Sequence, residues 1–184
     1  SQVSNIFSAI SEFKDLFNDP SKVLPQNYPL PQNYPSKEDF DKVMSINLKG
    51  AYFLTQAVAK KLFSMGKTGS LINISSQMGL VGGQERAVYC SSKHAVEGFT
   101  KAMAIEYGPA NIRINTICPT FILTDMTKAT FDDPEKRAWV ESKIKLGRVG
   151  AVQDIMGAVV YLASDASSLV TGSALLIDGG WTAG

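Results

Sequence analysis

The sequence predicts an α/β fold built on a parallel sheet, and three observations carry that expectation. Short apolar runs at 71–75, 112–118 and 173–177 read as strands, the second alternating as Ile-Arg-Ile-Asn-Thr-Ile-Cys. A helical stretch precedes the first run at 36–65, and others separate the runs at 87–107 and 154–164. Consecutive strands joined through helices run parallel, with the helices laid on the sheet faces.

At 184 residues the chain suits one domain with a sizeable core. The net charge is +1, and charges of both signs are spread along the chain. No basic face therefore argues for nucleic acid or a membrane surface, and no run is long and apolar enough to span a bilayer. No signal-like stretch stands ahead of the first helix. Cys90 and Cys118 stand apart without a Cys-x-x-Cys pair or clustered histidines. Disulfide and metal readings both lack support, so the expectation is no metal and a reducing, cytoplasmic setting.

Residues 1–35 read as an N-terminal unit. Val3, Ile6, Phe7, Ile10, Phe13, Leu16 and Phe17 recur at helical spacing over 1–19, and Pro20 ends that stripe. The polar side carries serine and acidic residues, so packing on the domain body or on a neighbouring subunit is favoured over a membrane surface. Leu-Pro-Gln-Asn-Tyr-Pro then occurs twice, at 24–29 and 30–35. Its prolines favour an extended arm, and two units do not make a solenoid.

Residues 36–184 form the body. Ser36 with Asp39 three positions on is a helix start, and Phe40, Val43, Leu48, Tyr52, Thr55, Val58 and Leu62 carry one stripe toward Met65. Asn47 falls inside that helix, where its amide competes for backbone partners. Residues 66–69 make the turn into the first strand. Ser76 follows that strand, and Gly79, Gly82 and Gly83 suggest a flexible loop before the helix from Ala87. Tyr89 and Lys93 lie four apart and share a face of it, where a serine from the end of the preceding strand can meet them. An ammonium one turn from a phenol stabilises the phenolate, making that hydroxyl a usable general acid or base nearer neutral pH. His94 points about 100° away from that face and is expected to pack at a surface.

Gly108-Pro109 stops the helix, and the strand at 112–118 runs into Pro119-Thr120. The stretch 125–146 is polar and broken by Asp132-Asp133-Pro134, with a helix over about 135–144. Ile155, Ala158, Val159 and Leu162 stripe the next helix. The last strand leaves through Asp178-Gly179-Gly180-Trp181, whose tryptophan suggests a contact surface.

Ser76 with Tyr89-x-x-x-Lys93 thirteen residues later resembles the classical short-chain dehydrogenase/reductase family. Asn47 in Ser-Ile-Asn-Leu-Lys-Gly, Asn-Ile-Ser-Ser at 73–76, Asn-x-Ile-x-Pro at 115–119, Gly-Arg-Val-Gly at 147–150 and Asp-Gly-Gly at 178–180 extend the resemblance in family order. It implies a Rossmann-like, doubly wound parallel sheet and hydride exchange between a nicotinamide cofactor, NAD or NADP, and a small-molecule alcohol or carbonyl substrate. Sugars or polyols come first and 3-oxoacyl thioesters second. The implied catalytic set is Asn47, Ser76, Tyr89 and Lys93, with Asn47 holding a water that relays protons to Lys93. Tyr89, Lys93, Pro119, Ile122 and Thr124 are the implied cofactor contacts. The segment 125–146 becomes a lid, and a homodimer or homotetramer is implied. Thr120 departs from the glycine usual after this proline, and an extended backbone accommodates it.

The family's Gly-x-x-x-Gly-x-Gly turn, which seats a pyrophosphate against a helix N-terminus, does not occur here, nor does its Asn-Asn-Ala-Gly strand. The expected fold is therefore truncated, lacking the first βαβ half. A fragment of a longer enzyme is the favoured account, ahead of a cofactor-free remnant and of a second chain supplying the first half. In isolation the 184 residues are expected to bind a nicotinamide cofactor poorly. A non-catalytic oligomerisation or binding scaffold is the alternative function.

Overall fold

A computed structural model describes residues 35–184. The helix expected at 1–19 and the paired hexapeptides through residue 34 lie outside the described residues.

Helix α1 (Lys37–Met44) opens with the expected capping box: Ser36 Oγ accepts from the Asp39 N–H at 3.1 Å, and Asp39 accepts from the Ser36 N–H at 3.2 Å. It runs through a π-helical turn, Ser45–Gly50, into α2 (Ala51–Ser64). Gly66, at φ +61°, turns the chain into β1 (Gly69–Ile74). That strand starts two residues earlier than the sequence suggests and leaves Ser75 outside it. Helix α3 (Ala87–Tyr107) leads to β2 (Ile112–Pro119), with Asn111 left-handed at φ 55° between them. Short α4 (Lys128–Phe131) and α5 (Pro134–Lys143) follow, the latter capped by Asp133, whose carboxylate accepts from the Glu135 and Lys136 N–H groups. Helix α6 (Val152–Ala163) and β3 (Ala174–Ile177) complete the order.

The strands form one parallel sheet in the order β1-β2-β3, with Gly69 opposite Ile112 and Thr116 opposite Ala174. Alternation along β2 sorts its side chains between two layers. Ile112 and Ile114 face α2 and α3, where they pack with Ala59, Val96, Phe99 and Met103. Ile117 faces the other way, onto Ala158 and Leu162 of α6. Helices on both faces leave β2 largely buried on either side, so its interspersed Arg113, Asn115 and Thr116 are each hydrogen-bonded. Burying each of its three isoleucines, all fully buried, stabilises the fold by about 1.5–3 kcal/mol.

Polar side chains lock the layers together. Thr55 of α2 donates to Asn73 Oδ1 at 2.9 Å, and Asn73 Nδ2 donates to Thr100 of α3 at 3.3 Å. On the opposite face Arg113 donates to the Leu162 and Ser164 carbonyls, holding the end of α6. Among the described residues β1 pairs only with β2, and Ile74 at its end is 56% exposed. Trp181 packs inward, stacking on Phe121 at 5.7 Å and meeting Trp139 edge-on at 5.8 Å. The contact surface suggested by that tryptophan is thus an internal one, closing a small core of Phe131, Val140 and Ile144 under the 121–149 segment.

Candidate active site

The carboxyl end of β1 gathers the predicted catalytic residues. Ser76 leaves the strand extended and caps the turn Gln77–Gly79, its Oγ accepting from the Met78 N–H at 3.1 Å. That bond uses a lone pair and leaves the hydroxyl proton free to donate. Lys93 Nζ donates to the Ile74 carbonyl at 3.0 Å, so α3 and the end of β1 are tied through the lysine itself. The same ammonium lies 5.7 Å from the centroid of the Tyr89 ring. Burial holds the Lys93 ammonium below the usual lysine range, while Cys118 and Glu97 oppose that shift.

Gly79 makes this approach possible. A Cβ there would lie 3.1 Å from the Lys93 carbonyl oxygen and 2.9 Å from Ser75 Oγ, so the turn after Ser76 sits directly on α3. The glycine-rich stretch therefore begins with a close packing contact, while Gly82, where a Cβ would meet nothing within 4 Å, is the open part of the loop.

Asn47 lies in the π-helical turn, a distortion the helical stripe does not reveal. The wider turn breaks the regular backbone ladder, a feature frequent at functional sites. Its amide, which sequence reasoning left competing for backbone, instead donates to Ser92 Oγ at 3.2 Å, and Ser92 donates to the Tyr89 carbonyl at 2.7 Å. Asn47 is thereby coupled to the helical turn that bears Tyr89 and Lys93. Ser92 was missed as a partner; its position next to Lys93, as a small polar residue on a packed helix, is the signal that could have found it. His94 is exposed, with Nδ1 3.0 Å from the Cys90 carbonyl on its own helix.

Pro119 ends β2 on the neighbouring strand, and the Thr120 N–H donates to the Ile177 carbonyl at 3.1 Å. Thr120 is not among the residues at positive φ, which is why threonine is tolerated where glycine is usual. Ile122 pairs with Gly150 in an isolated parallel bridge. Thr127, also missed in the sequence, pins this segment: its Oγ1 donates to the Ile122 carbonyl at 2.6 Å and accepts from the Thr124 N–H at 2.9 Å. In the Gly-Arg-Val-Gly motif, Arg148 grips Asp154 through two hydrogen bonds of 2.7 and 2.9 Å, which hold the Asp154 carboxyl well below the usual range.

A cavity of about 150 Å³ lies beside this segment, lined by Thr120, Ile122, Ile144, Leu146 and Ile177 among others. It is smaller than typical ligand sites and does not include Ser76, Tyr89 or Lys93. The predicted catalytic residues Ser76 and Lys93 stand instead at the open edge of β1. Among the described residues, the buried polar side-chain atoms without a partner are Ser75 Oγ, Gln77 Oε1 and Thr120 Oγ1. All three follow the carboxyl ends of β1 and β2, the edge at which open α/β sheets bind ligands. Buried polar groups are ordinarily satisfied, so Gln77 Oε1 and Thr120 Oγ1 can each take a polar ligand atom, and Lys93 retains further N–H donors, while Ser75 Oγ faces inward toward Gly79 and α3. The ribose–nicotinamide portion of a dinucleotide fits that donor and acceptor set. Among the described residues no group of three or more His, Cys, Asp or Glu could hold a metal, and no helix is long and apolar enough to cross a membrane.

A family model described as enoyl-(acyl carrier protein) reductase matches residues 31–182. D-erythrulose reductase of Gallus gallus is 36% identical over 146 residues, covering 79% of this chain and 59% of the relative. L-xylulose reductase of Homo sapiens is 38% identical over 148 residues, covering 80% and 61%. Among solved structures, an Agrobacterium tumefaciens protein described as a putative 2-deoxy-d-gluconate 3-dehydrogenase with bound NADP superposes with a TM-score of 0.80 at 39% identity, over 84% of this chain and 63% of that one. A 4-hydroxyisoleucine dehydrogenase complexed with NADH matches 98% of this chain and 77% of its own, with a TM-score of 0.79 and 37% identity. The chain thus spans about three fifths of the length of the curated relatives it matches. With most of its length matched by the family model and by relatives above a third identical, this chain belongs to the short-chain dehydrogenase/reductase family.

Proposed function

We propose that this chain supplies the catalytic side chains of an NAD(P)-dependent oxidoreductase that interconverts a secondary alcohol and a ketone. The observation that carries the reading is the placement of Lys93 Nζ, anchored on the Ile74 carbonyl and 5.7 Å from the Tyr89 ring centroid; Ser76, whose hydroxyl is free to donate, follows Ile74 by two residues. Relatives named for xylulose, erythrulose and rhamnose chemistry favour a sugar or polyol substrate. A 3-oxoacyl thioester stays the second reading from the family resemblance alone; the matching family model is described for an enoyl thioester, whose reduction is at a C=C bond.

When bound, NAD or NADP would accept or supply the hydride at the substrate carbon. Lys93 and Tyr89 would hold its ribose, while Pro119, Ile122 and Thr124 would meet the nicotinamide end. Ser76 donates its free hydroxyl proton to the substrate oxygen and so orients the carbon. Tyr89 delivers a proton to that oxygen in reduction and removes it in oxidation. Lys93 stabilises the phenolate left behind, with its ammonium held at short range in a half-buried setting. Asn47, through Ser92, steadies the backbone of Tyr89, and the widened turn around it offers polar backbone for a water leading from Lys93 to solvent.

The experiment is a turnover assay of the purified protein with NADPH and NADH against a ketose panel and a 3-oxoacyl thioester, following the reduced nicotinamide. Faster turnover of the ketoses is expected. Preference for the thioester would reverse the substrate order, and cofactor binding without turnover of either class would favour the scaffold reading.

The same reading includes a homodimer or homotetramer. Phe53, Leu54, Val58 and Phe63 of α2 are 41–68% exposed, a run of apolar surface larger than solvent ordinarily meets. Light scattering at micromolar concentration should give at least a dimer; a monomer would remove the oligomer from the proposal.

A further inference from the structure

Tyr89, Lys93 and Glu97 recur every fourth residue on α3 and stand in one column. The first two belong to the site described above, but the third has no role in it. Glu97 is nonetheless 4% exposed, and carboxylates are rarely so buried unless they are paired. Its partners come from β2. Thr116 Oγ1 donates to Glu97 Oε2 at 2.8 Å, and the Cys118 thiol donates to Oε1 at 3.3 Å. Both donors are fully buried on the face of β2 that meets α3.

Each carboxylate oxygen thus receives a neutral donor, and no hydrogen bond in the clamp cancels the charge. Burial pushes the Cys118 thiol up to about 11, so it remains a neutral donor near pH 7. The Lys93 ammonium is destabilised by burial and supported by Cys118 and Glu97. With Cys118 protonated, Glu97 is the support that operates at neutral pH. The titratable groups near Glu97 are Lys93 and the exposed Lys101, one turn to either side on its own helix, and Cys118 on β2; the loop after β1 faces it with Ser75 and Gly79, which do not titrate. That loop touches both members of the column, since a Cβ at Gly79 would lie 3.1 Å from the Lys93 carbonyl oxygen and 3.2 Å from Glu97 Cγ.

We infer that Glu97 is a positioning residue: its buried carboxylate, clamped by Thr116 and Cys118, is the counter-charge that keeps the Lys93 ammonium charged and in place beside Tyr89. Lys93 makes its hydrogen bond to Ile74 and not to Glu97, so the two act through the electrostatic field where burial of Glu97 weakens solvent screening. The consequence for turnover rests on the functional reading above, while the charge relation stands on the fold alone.

The test is an NMR titration of the full chain carrying isotope-labelled lysine, with the Lys93 signal identified by its loss in Lys93→Arg. In Glu97→Gln the Lys93 titration midpoint should fall by about one pH unit, and Glu97→Asp should recover most of that shift. An unchanged midpoint in Glu97→Gln overturns the inference. Should that variant not fold, Glu97→Met fills a similar volume without charge and carries the same two outcomes. In the turnover assay, the high-pH limb of kcat/KM should move down with the lysine midpoint. A uniform loss at all pH values, with both limbs in place, would mark Glu97 as merely structural. If the unaltered protein binds the cofactor and shows no turnover, the functional reading fails while the lysine titration still decides the role of Glu97.

Discussion

Tyr89→Phe is expected to lower kcat by about a thousandfold while changing the dissociation constant for the nicotinamide cofactor by no more than about twofold. The substitution removes one oxygen and keeps the ring against which Lys93 is placed. A proton donor used only in the transition state contributes to turnover and little to ground-state binding. A thousandfold loss corresponds to about 4 kcal/mol, within reach of one general acid acting with its supporting charge. Stopped-flow turnover and a fluorescence titration of the cofactor on the same preparation give the two numbers. Activity within tenfold of the unaltered protein would remove Tyr89 from the mechanism.

Lys93→Ala should be at least as damaging to turnover and, unlike the tyrosine variant, should also weaken cofactor binding by about ten- to a hundredfold. Two contributions are lost together. The ammonium that stabilises the phenolate disappears, and so does a charged donor expected to reach the ribose. A hydrogen bond from a charged group contributes about 1.5–3 kcal/mol, and each 1.4 kcal/mol is about tenfold in affinity. The variant also frees the Ile74 carbonyl, which sits at an exposed strand end where water can replace Nζ, so the fold should tolerate the change. Calorimetric titration beside steady-state kinetics separates the effects. Cofactor affinity equal to that of the unaltered protein would mean Lys93 does not touch the ribose.

Much of the site is legible in the linear sequence because its spacing is dictated by secondary structure. Tyr89 and Lys93 share a face because α3 has 3.6 residues per turn, and Ser76 stands at the carboxyl end of the sheet because it follows β1 by two residues. The stop at Gly108 and the start at Ser36 are also local, set by a turn and a capping box. Other features were less accessible. The π-helical turn at Ser45–Gly50 leaves the hydrophobic stripe almost unchanged, so periodicity reads it as ordinary helix. Trp181 looks like a surface contact until the 121–149 segment folds over it and supplies Phe121 and Trp139.

By itself the sequence determined the element order, the parallel α/β class, and the residue types able to move a proton, because these depend on periodicity, capping and side-chain chemistry within a few turns of chain. Tertiary structure alone decided the partners. Asn47 meets Ser92 across 45 residues, Lys93 meets the Ile74 carbonyl across 19, and Glu97 meets Cys118 across 21. Those contacts exist because helix α3 packs against the sheet through Val96, Phe99, Met103 and Ile112 and Ile114 of β2, bringing polar groups from separate elements together. Local sequence can propose a charge, but only that packing decides which charge it faces and how far burial weakens the screening between them.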